Sequence, residues 1–210
     1  HCNTGVISAL ADKNTLILAD KLVHASIIDG IILSRAEFTR FRHNDLKHLR
    51  ILLKKNSGQF DTILVIVESI YSMDGDICNL EELVALKKEY PNVLLYVDEA
   101  HGFGVRGKYG LGIAEECNVI PDIDILVGTL GKAAASAGAF VITNDILKKF
   151  LINKARSFIF STALPPISCL WSKFVVEKLT EMESQRKHLL ETSEFLNEHF
   201  TTYNKDIRSH

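Results

Sequence analysis

The stretch "NVLLYVDEA" (92–100) decides the fold of this 210-residue chain. Its unbroken apolar run is typical of a strand that is buried on both faces of a sheet. A similar run, "TILVIVES" (62–69), precedes it, and "DILVGT" (124–129) follows it. Between the first two lies "NLEELVALKKEY" (79–90), whose apolar spacing predicts a helix with Asn79 as its N-cap. Strands separated by helices predict an α/β fold with a mostly parallel sheet flanked by helices.

The same alternation extends in both directions along the chain. Further strands are predicted at "TLILAD" (15–20), "FTRFRH" (38–43), "GAFVITN" (138–144) and "SFIFST" (157–162). Further helices are predicted at "HASIIDGIILS" (24–34), "DLKHLRILLKK" (45–55), "DILKKFLINKAR" (145–156) and, as one long helix, over residues 166–199. The whole pattern therefore favours one α/β domain followed by a helical segment.

Composition argues against several classes of function. The chain is 47% hydrophobic and 24% charged with a formal net charge of −2, so it lacks the basic field of a nucleic-acid-binding protein. No apolar run approaches the ~20 residues of a membrane span, and the first residues lack the features of a signal peptide. The cysteines at 2, 78, 117 and 169 match no zinc spacing, so we expect no metal site and reduced thiols in a cytoplasmic protein.

Two motifs suggest a nucleotide-binding module as an alternative from a different class. "LLYVDEAH" (94–101) resembles the Walker B strand of a helicase, which also requires a P-loop. Neither Gly-Lys pair, Gly107-Lys108 or Gly131-Lys132, is followed by Ser or Thr. "HGFGVRG" (101–107) contains GxGxxG, but it does not follow its strand directly and the next strand does not end in an acid. Both motifs are therefore weak evidence, and the glycines more simply allow close backbone packing.

Polar residues follow the predicted strands, at the edge where ligands bind in parallel sheets. A lysine with a lowered pKa can form an imine with an aldehyde, and a buried carboxylate can keep a pyridine nitrogen protonated. Hydroxyl groups suit a phosphate, and an imidazole can stack on an aromatic ring. These are the groups that pyridoxal 5'-phosphate (PLP) requires, and the candidates are His24, Ser72, Asp98, His101, Thr129 and Lys132.

Longer motifs around these residues resemble a known family. "SMDGDICNLEELVALKKEYPNVLLYVDEAHGFGVRGKYGLG" (72–112) and "GTLGKAAASAGAFV" (128–141) are similar to the α-oxoamine synthases, PLP-dependent enzymes of fold type I with the aminotransferase class I/II fold. Supporting stretches are "ADKLVHASIIDGIILS" (19–34), "FRHNDLKHL" (41–49) and "FIFSTALPP" (158–166). The resemblance implies the large domain of such an enzyme, with a mostly parallel sheet of the seven-stranded type.

The resemblance also implies roles for individual residues. Lys132 matches the lysine that binds PLP covalently and then removes the substrate Cα proton, and Asp98 matches the partner of the pyridinium nitrogen. His101 matches the histidine near the phenolic oxygen. His24 matches the histidine that stacks on the cofactor ring and can orient the substrate carboxylate.

Further matches concern the cofactor and a second subunit. Ser72 matches a cofactor-contacting serine, and Thr129 matches a hydroxyl beside the phosphate. Ser161 and Thr162 match a segment that reaches the partner subunit's site in the family's dimers. The resemblance therefore implies a homodimer.

The expected reaction is the condensation of an amino acid with an acyl thioester, with loss of CO₂. The sequences of these motifs are most similar to those of members that join L-alanine to pimeloyl-CoA, or to a pimeloyl-carrier protein, in biotin biosynthesis. Sister members, which use glycine with acetyl-CoA or serine with palmitoyl donors, are the alternative.

The chain also departs from the family pattern. Many members carry a glycine soon after the lysine, whereas "KAAASAG" (132–138) delays it to Gly138. We expect residues 1–165 to form the PLP-binding large domain without its N-terminal part. Residues 166–210 are expected to form a long helix that leads to a C-terminal small domain, which is mostly missing together with its carboxylate-binding arginine.

Overall fold

A six-stranded sheet forms the centre of the molecule. The computed structural model describes residues 1–203, with side chains up to residue 200. The strands are β1 Thr15–Asp20, β2 Glu37–Phe41, β3 Thr62–Glu68, β4 Val93–Asp98, β5 Ile125–Thr129 and β6 Ala139–Thr143. Their order is β2-β1-β3-β4-β5-β6. The first five strands are mutually parallel and β6 is antiparallel to β5, which confirms the mostly parallel sheet.

Helices connect and cover these strands. They are α1 Cys2–Leu10, α2 Ala25–Ser34, α3 Leu46–Asn56, α4 Leu80–Lys87, α5 Ile113–Glu116, α6 Asp145–Lys154, α7 Arg156–Ile159, α8 Pro166–Leu179 and α9 Glu183–Tyr203. Asp45, Asn79 and Asn144 each accept a hydrogen bond from a backbone N–H in the first turn of their helix. These caps satisfy donors that a helix start would otherwise leave unpaired.

The core lies where the sequence is uniformly apolar. All six residues of β1 are buried, and side chains such as Ile17, Leu64 and Leu95 are at most 1% exposed. Each fully buried side chain of this size contributes about 1.5–3 kcal/mol of hydrophobic free energy. In a parallel sheet that is covered on both faces, every strand residue gains this hydrophobic free energy. These strands therefore do not alternate between apolar and polar residues.

Two predicted elements were wrong. Residues 157–162, predicted as a strand, contain the end of α7, where the backbone N–H groups of Ile159 and Phe160 donate to carbonyls four residues back. The Phe158 and Phe160 side chains, whose alternation suggested a strand, are exposed. β6 is the last strand of the sheet, so the segment after α6 pairs with no strand in the described part of the chain.

The predicted long helix over 166–199 is two helices, α8 and α9, separated by a turn at 180–182. Arg186 stabilises this break, because its Nη1 donates to the Leu179 carbonyl at 2.5 Å. The same guanidinium also donates to the carbonyls of Gly107 and Lys108. Residues 204–210 of the predicted C-terminal segment lie outside the described residues.

Helix α1 was not predicted, and it contributes a residue to the site described below.

None of the helices within residues 1–203 combines the length and apolarity needed to cross a membrane.

Candidate active site

A cavity of about 1040 Å³ opens at the carboxyl ends of β3, β4 and β5. Helix α1, the start of α2 and the segment from α6 to residue 164 complete its wall. The predicted site residues that line it are His24, Asp98, His101, Thr129, Lys132, Ser161 and Thr162. The structure therefore brings seven of the eight predicted residues to one space, as expected for the strand ends of a parallel sheet.

Lys132 lies on a tight turn that follows β5. Its Nζ lies 2.7 Å from Nε2 of His101. The turn folds back on itself, with the backbone N–H of Ser136 donating to the Leu130 carbonyl at 2.8 Å. Small side chains suit this turn, and Ala134 is fully buried within it.

The environment of Lys132 favours the neutral amine. Burial lowers its pKa below the ordinary value, while the negative charges of Asp98 and Glu68 oppose that shift. A neutral amine is the nucleophile that attacks an aldehyde. The site therefore increases the reactive fraction of this lysine while keeping two counter-charges near it.

Asp98 is the last residue of β4 and is 4% exposed. One carboxylate oxygen accepts a hydrogen bond from the side-chain amide of Asn3 at 2.7 Å, and the other accepts from the Ala100 backbone at 2.9 Å. The Asn3 oxygen in turn accepts from the Tyr96 hydroxyl at 2.5 Å. These bonds hold the carboxylate in one orientation at the cavity wall.

The sequence did not predict a role for Asn3. Its side-chain amide also donates to the Ser26 hydroxyl at 3.1 Å, so it connects Asp98 to α2. The one signal in the sequence is a polar amide in the first turn of a mostly apolar helix, "CNTGVISAL".

The two histidines occupy different loops. His101 follows β4, and its pKa is lowered by burial and by the Lys132 charge. It is therefore neutral near pH 7, and its Nε2 can accept a hydrogen bond from the Lys132 Nζ. His24 is the N-cap of α2, and its Nδ1 accepts from the Ser26 backbone N–H at 3.1 Å. That bond orients the His24 ring, which lines the cavity.

Glu68 is a further cavity residue that the sequence prediction did not assign. It ends β3 beside Asp98 in register, and it is 2% exposed. Burial, followed by the nearby Asp98 charge, raises its pKa to about 7, although the backbone N–H of His24, the Lys132 charge and the backbone N–H of Ser72 oppose this. The sequence did contain a signal for Glu68: it is an acid at the end of an apolar strand, which is the position that Asp98 has on β4.

Ser72 and Thr129 differ in their placement. The side chain of Ser72 is exposed and is not among the cavity-lining residues, while its backbone N–H faces Glu68. Thr129 ends β5 in the cavity wall, and its hydroxyl oxygen accepts from the Gly131 backbone at 3.2 Å. Thr129 is thus placed to meet a ligand directly.

Ser161 and Thr162 are exposed and lie on the cavity wall formed after α7. The Ser161 hydroxyl donates to the Ser157 carbonyl. Their contact with a partner subunit stays a prediction.

The glycine-rich segment after β4 encloses Glu99. This fully buried carboxylate accepts from the Ser69 hydroxyl at 2.5 Å and from the Ala114 backbone at 2.7 Å. Gly112 has a φ of +102°, and a Cβ there would lie 2.3 Å from a Glu99 oxygen. The glycines therefore allow close packing around a buried acid, as the sequence suggested.

The arrangement fits PLP. A reactive amine and a buried, oriented carboxylate face one cavity, and they match the aldehyde and the pyridine nitrogen of the cofactor. The Thr129 hydroxyl, at a strand end, could bind a phosphate, and the His24 ring could stack on an aromatic ligand. The side chains that line the cavity therefore suit each part of the cofactor.

Comparison with known proteins agrees with this geometry. The profile of the family "Aminotransferase class I and II" matches residues 1–208, and the chain belongs to this family. A relative from Haemophilus influenzae named "Putative 8-amino-7-oxononanoate synthase" is 57% identical over 196 residues, which are 93% of this chain and 52% of the relative. The chain thus spans about half the length of the curated relatives that it matches.

Solved structures share the fold. The 8-amino-7-oxononanoate synthase of Francisella tularensis has a TM-score of 0.84 at 33% identity, covering 99% of this chain and 61% of that one. Serine palmitoyltransferase from S. paucimobilis, solved with a bound adduct of PLP and myriocin, also has a TM-score of 0.84, at 34% identity over 91% of this chain and 49% of that one. The chain therefore shares the fold of these two enzymes, and it resembles the 8-amino-7-oxononanoate synthases in sequence.

Proposed function

We propose that the protein condenses L-alanine with pimeloyl-CoA, or with a pimeloyl-carrier protein, to give 8-amino-7-oxononanoate and CO₂ in biotin biosynthesis. The observation that carries this proposal is the Lys132 amine, 2.7 Å from His101, in a cavity that it shares with the buried Asp98. The 57% identity to the Haemophilus relative supports the choice of substrates.

The proposed roles follow from the positions of the side chains. When bound, PLP supplies a ring that accepts negative charge from the substrate Cα. Lys132 binds the cofactor aldehyde and, once released, takes the Cα proton, which its lowered pKa favours. Asp98 keeps the pyridine nitrogen protonated, because a negative charge favours the charged form of a neighbouring base.

The remaining residues orient the ligands. His101 contacts the phenolic oxygen, and His24 stacks on the ring and orients the substrate carboxylate. Thr129 provides a hydroxyl beside the phosphate, whereas the cofactor contact of Ser72, whose side chain lies outside the cavity lining, stays a prediction. We also propose a homodimer in the cytoplasm in which Ser161 and Thr162 contact the partner subunit's site.

A sister activity is the second candidate. The similarity to serine palmitoyltransferase, with the same TM-score as the Francisella synthase, favours an enzyme with another amino acid and acyl donor. Amino-acid preference separates the two candidates, because both require the same cofactor residues.

Visible absorbance with added PLP tests the proposal. We expect a yellow band from the Lys132–PLP imine, a change of that band on addition of L-alanine, and loss of the band in Lys132→Ala. Lys148→Ala is the matched control, because Lys148 lines the same cavity and should leave the band unchanged. A band that persists in Lys132→Ala contradicts the assignment, and a band that responds to glycine or serine but not to L-alanine selects the sister activity.

A further inference from the structure

Glu68 is a buried acid in the cavity that the proposed chemistry does not use. It lies beside Asp98 in the β3–β4 register, and its side chain is 2% exposed. Burial of an acid costs free energy unless hydrogen bonds or opposite charges compensate. Its partners therefore indicate what it does.

Those partners are backbone groups from two separate loops. The Glu68 carboxylate accepts a hydrogen bond from the His24 backbone N–H, at the start of α2 after β1. The Ser72 backbone N–H, in the loop after β3, also faces this carboxylate. An ionised carboxylate accepts the bond from His24 and is stabilised by the nearby Ser72 N–H, and charge-assisted bonds of this kind are about twice as strong as neutral ones.

Charged and titratable groups also face Glu68 from neighbouring elements. Asp98 approaches from β4 and Lys132 from the turn after β5, while the buried Tyr71 lies on the loop after β3. The negative charge of Glu68 in turn favours the protonated form of Lys132. Glu68 thus acts on the reactive amine without a hydrogen bond to it.

We propose that Glu68 is a positioning residue: its carboxylate ties the His24 and Ser72 loops together and supplies a negative charge that faces Lys132. The inference rests on the proposed function in that it assigns Lys132 as the reactive amine. Glu68 ionises near pH 7, so both effects are complete above that pH.

Reductive methylation of the purified, PLP-free protein with formaldehyde and cyanoborohydride tests the charge. The rate of Lys132 methylation, followed by mass spectrometry against pH, reports the amine pKa without any enzymatic activity. In Glu68→Gln we expect the midpoint to fall by at least about half a pH unit, because an opposite charge is lost. Asp20→Asn is the matched control, since Asp20 is also a buried acid at a strand end, and it should leave the midpoint unchanged.

Glu68→Asp tests the bridge between the loops. It retains the charge but shortens the reach to the backbone N–H groups, so we expect a wild-type midpoint with about tenfold weaker PLP binding. If Glu68→Gln does not fold, the PLP affinity of Glu68→Asp still tests the proposal.

An unchanged midpoint in folded Glu68→Gln, an equal shift in Asp20→Asn, or wild-type PLP affinity in Glu68→Asp would overturn the proposal. A protein that shows the midpoint shift but forms no product from L-alanine would overturn the proposed function alone.

Discussion

Two strand ends of this sheet use an acid and a histidine in opposite ways. At the end of β1, Asp20 holds Nδ1 of His43 at 2.8 Å, and Asp76 holds Nε2 of the same ring at 2.6 Å. At the end of β4, Asp98 and His101 lie on the wall of the large cavity. The first arrangement uses both ring nitrogens within the protein, whereas the second directs an acid and an imidazole toward a ligand space.

The pKa directions of the two histidines show the same contrast. Burial alone would lower the pKa of His43, but hydrogen bonds and charges from Asp20 and Asp76 outweigh it and raise the pKa. Burial and the Lys132 charge lower the pKa of His101. The first ring is thus kept as a cation that joins two loops, and the second as a neutral base near a reactive amine. Residue type alone does not separate structural from chemical groups, but their partners do.

Substitution of Asp98 should have the largest effect. Asp98→Asn keeps the shape of the side chain but removes the negative charge that would keep the pyridine nitrogen protonated. We therefore expect product formation to fall about 10³-fold. Asp20→Asn, at the other strand end, should lower the melting temperature and retain most of the activity. Steady-state kinetics and thermal melts measure both. Equal losses of activity in the two variants would remove the distinction between the strand ends.

Removal of His43 should mainly affect stability. His43→Ala deletes two charge-assisted hydrogen bonds and leaves the buried Asp20 without its cation, so we expect a loss of about 3 kcal/mol in the free energy of unfolding. His101→Ala should change that free energy by less than about 1 kcal/mol while altering the methylation profile of Lys132. Urea denaturation measures the free energy of unfolding of both variants. A larger loss in His101→Ala than in His43→Ala would contradict the structural role of His43.

The pH dependence of stability should show the smallest effect. Because the folded protein raises the pKa of His43, its contribution is complete below the unfolded value of 6.5 and is lost as pH rises through the folded pKa. The gap in unfolding free energy between the wild type and His43→Gln should therefore narrow as the pH rises above about 6.5. A gap that widens with pH would show that His43 is not stabilised as a cation.

The sequence predicted which residues lie together at the cavity better than it predicted some of the local structure. Asp98, Lys132 and Thr129 were found because parallel strands are uniformly apolar and each polar residue that follows one stands out. Glu68 has the same position, yet no chemical role in the motif pointed to it. Its importance depends on backbone donors that only the folded loops bring near it.

Other features depended on tertiary context. Asn3 reaches Asp98 across 95 residues of sequence, which no local pattern encodes. The alternating phenylalanines near residue 158 fit a strand, but hydrogen bonding within the segment selected a helix. The break between α8 and α9 depends on Arg186, whose bonds reach a loop far away in the sequence.

Arg186 has a mechanical consequence. One 7% exposed guanidinium holds carbonyls at the end of α8 and in the glycine-rich segment that encloses Glu99. The start of α9 is therefore tied to the loop that follows His101, so a shift of α9 away from this loop would break the bonds to Gly107 and Lys108.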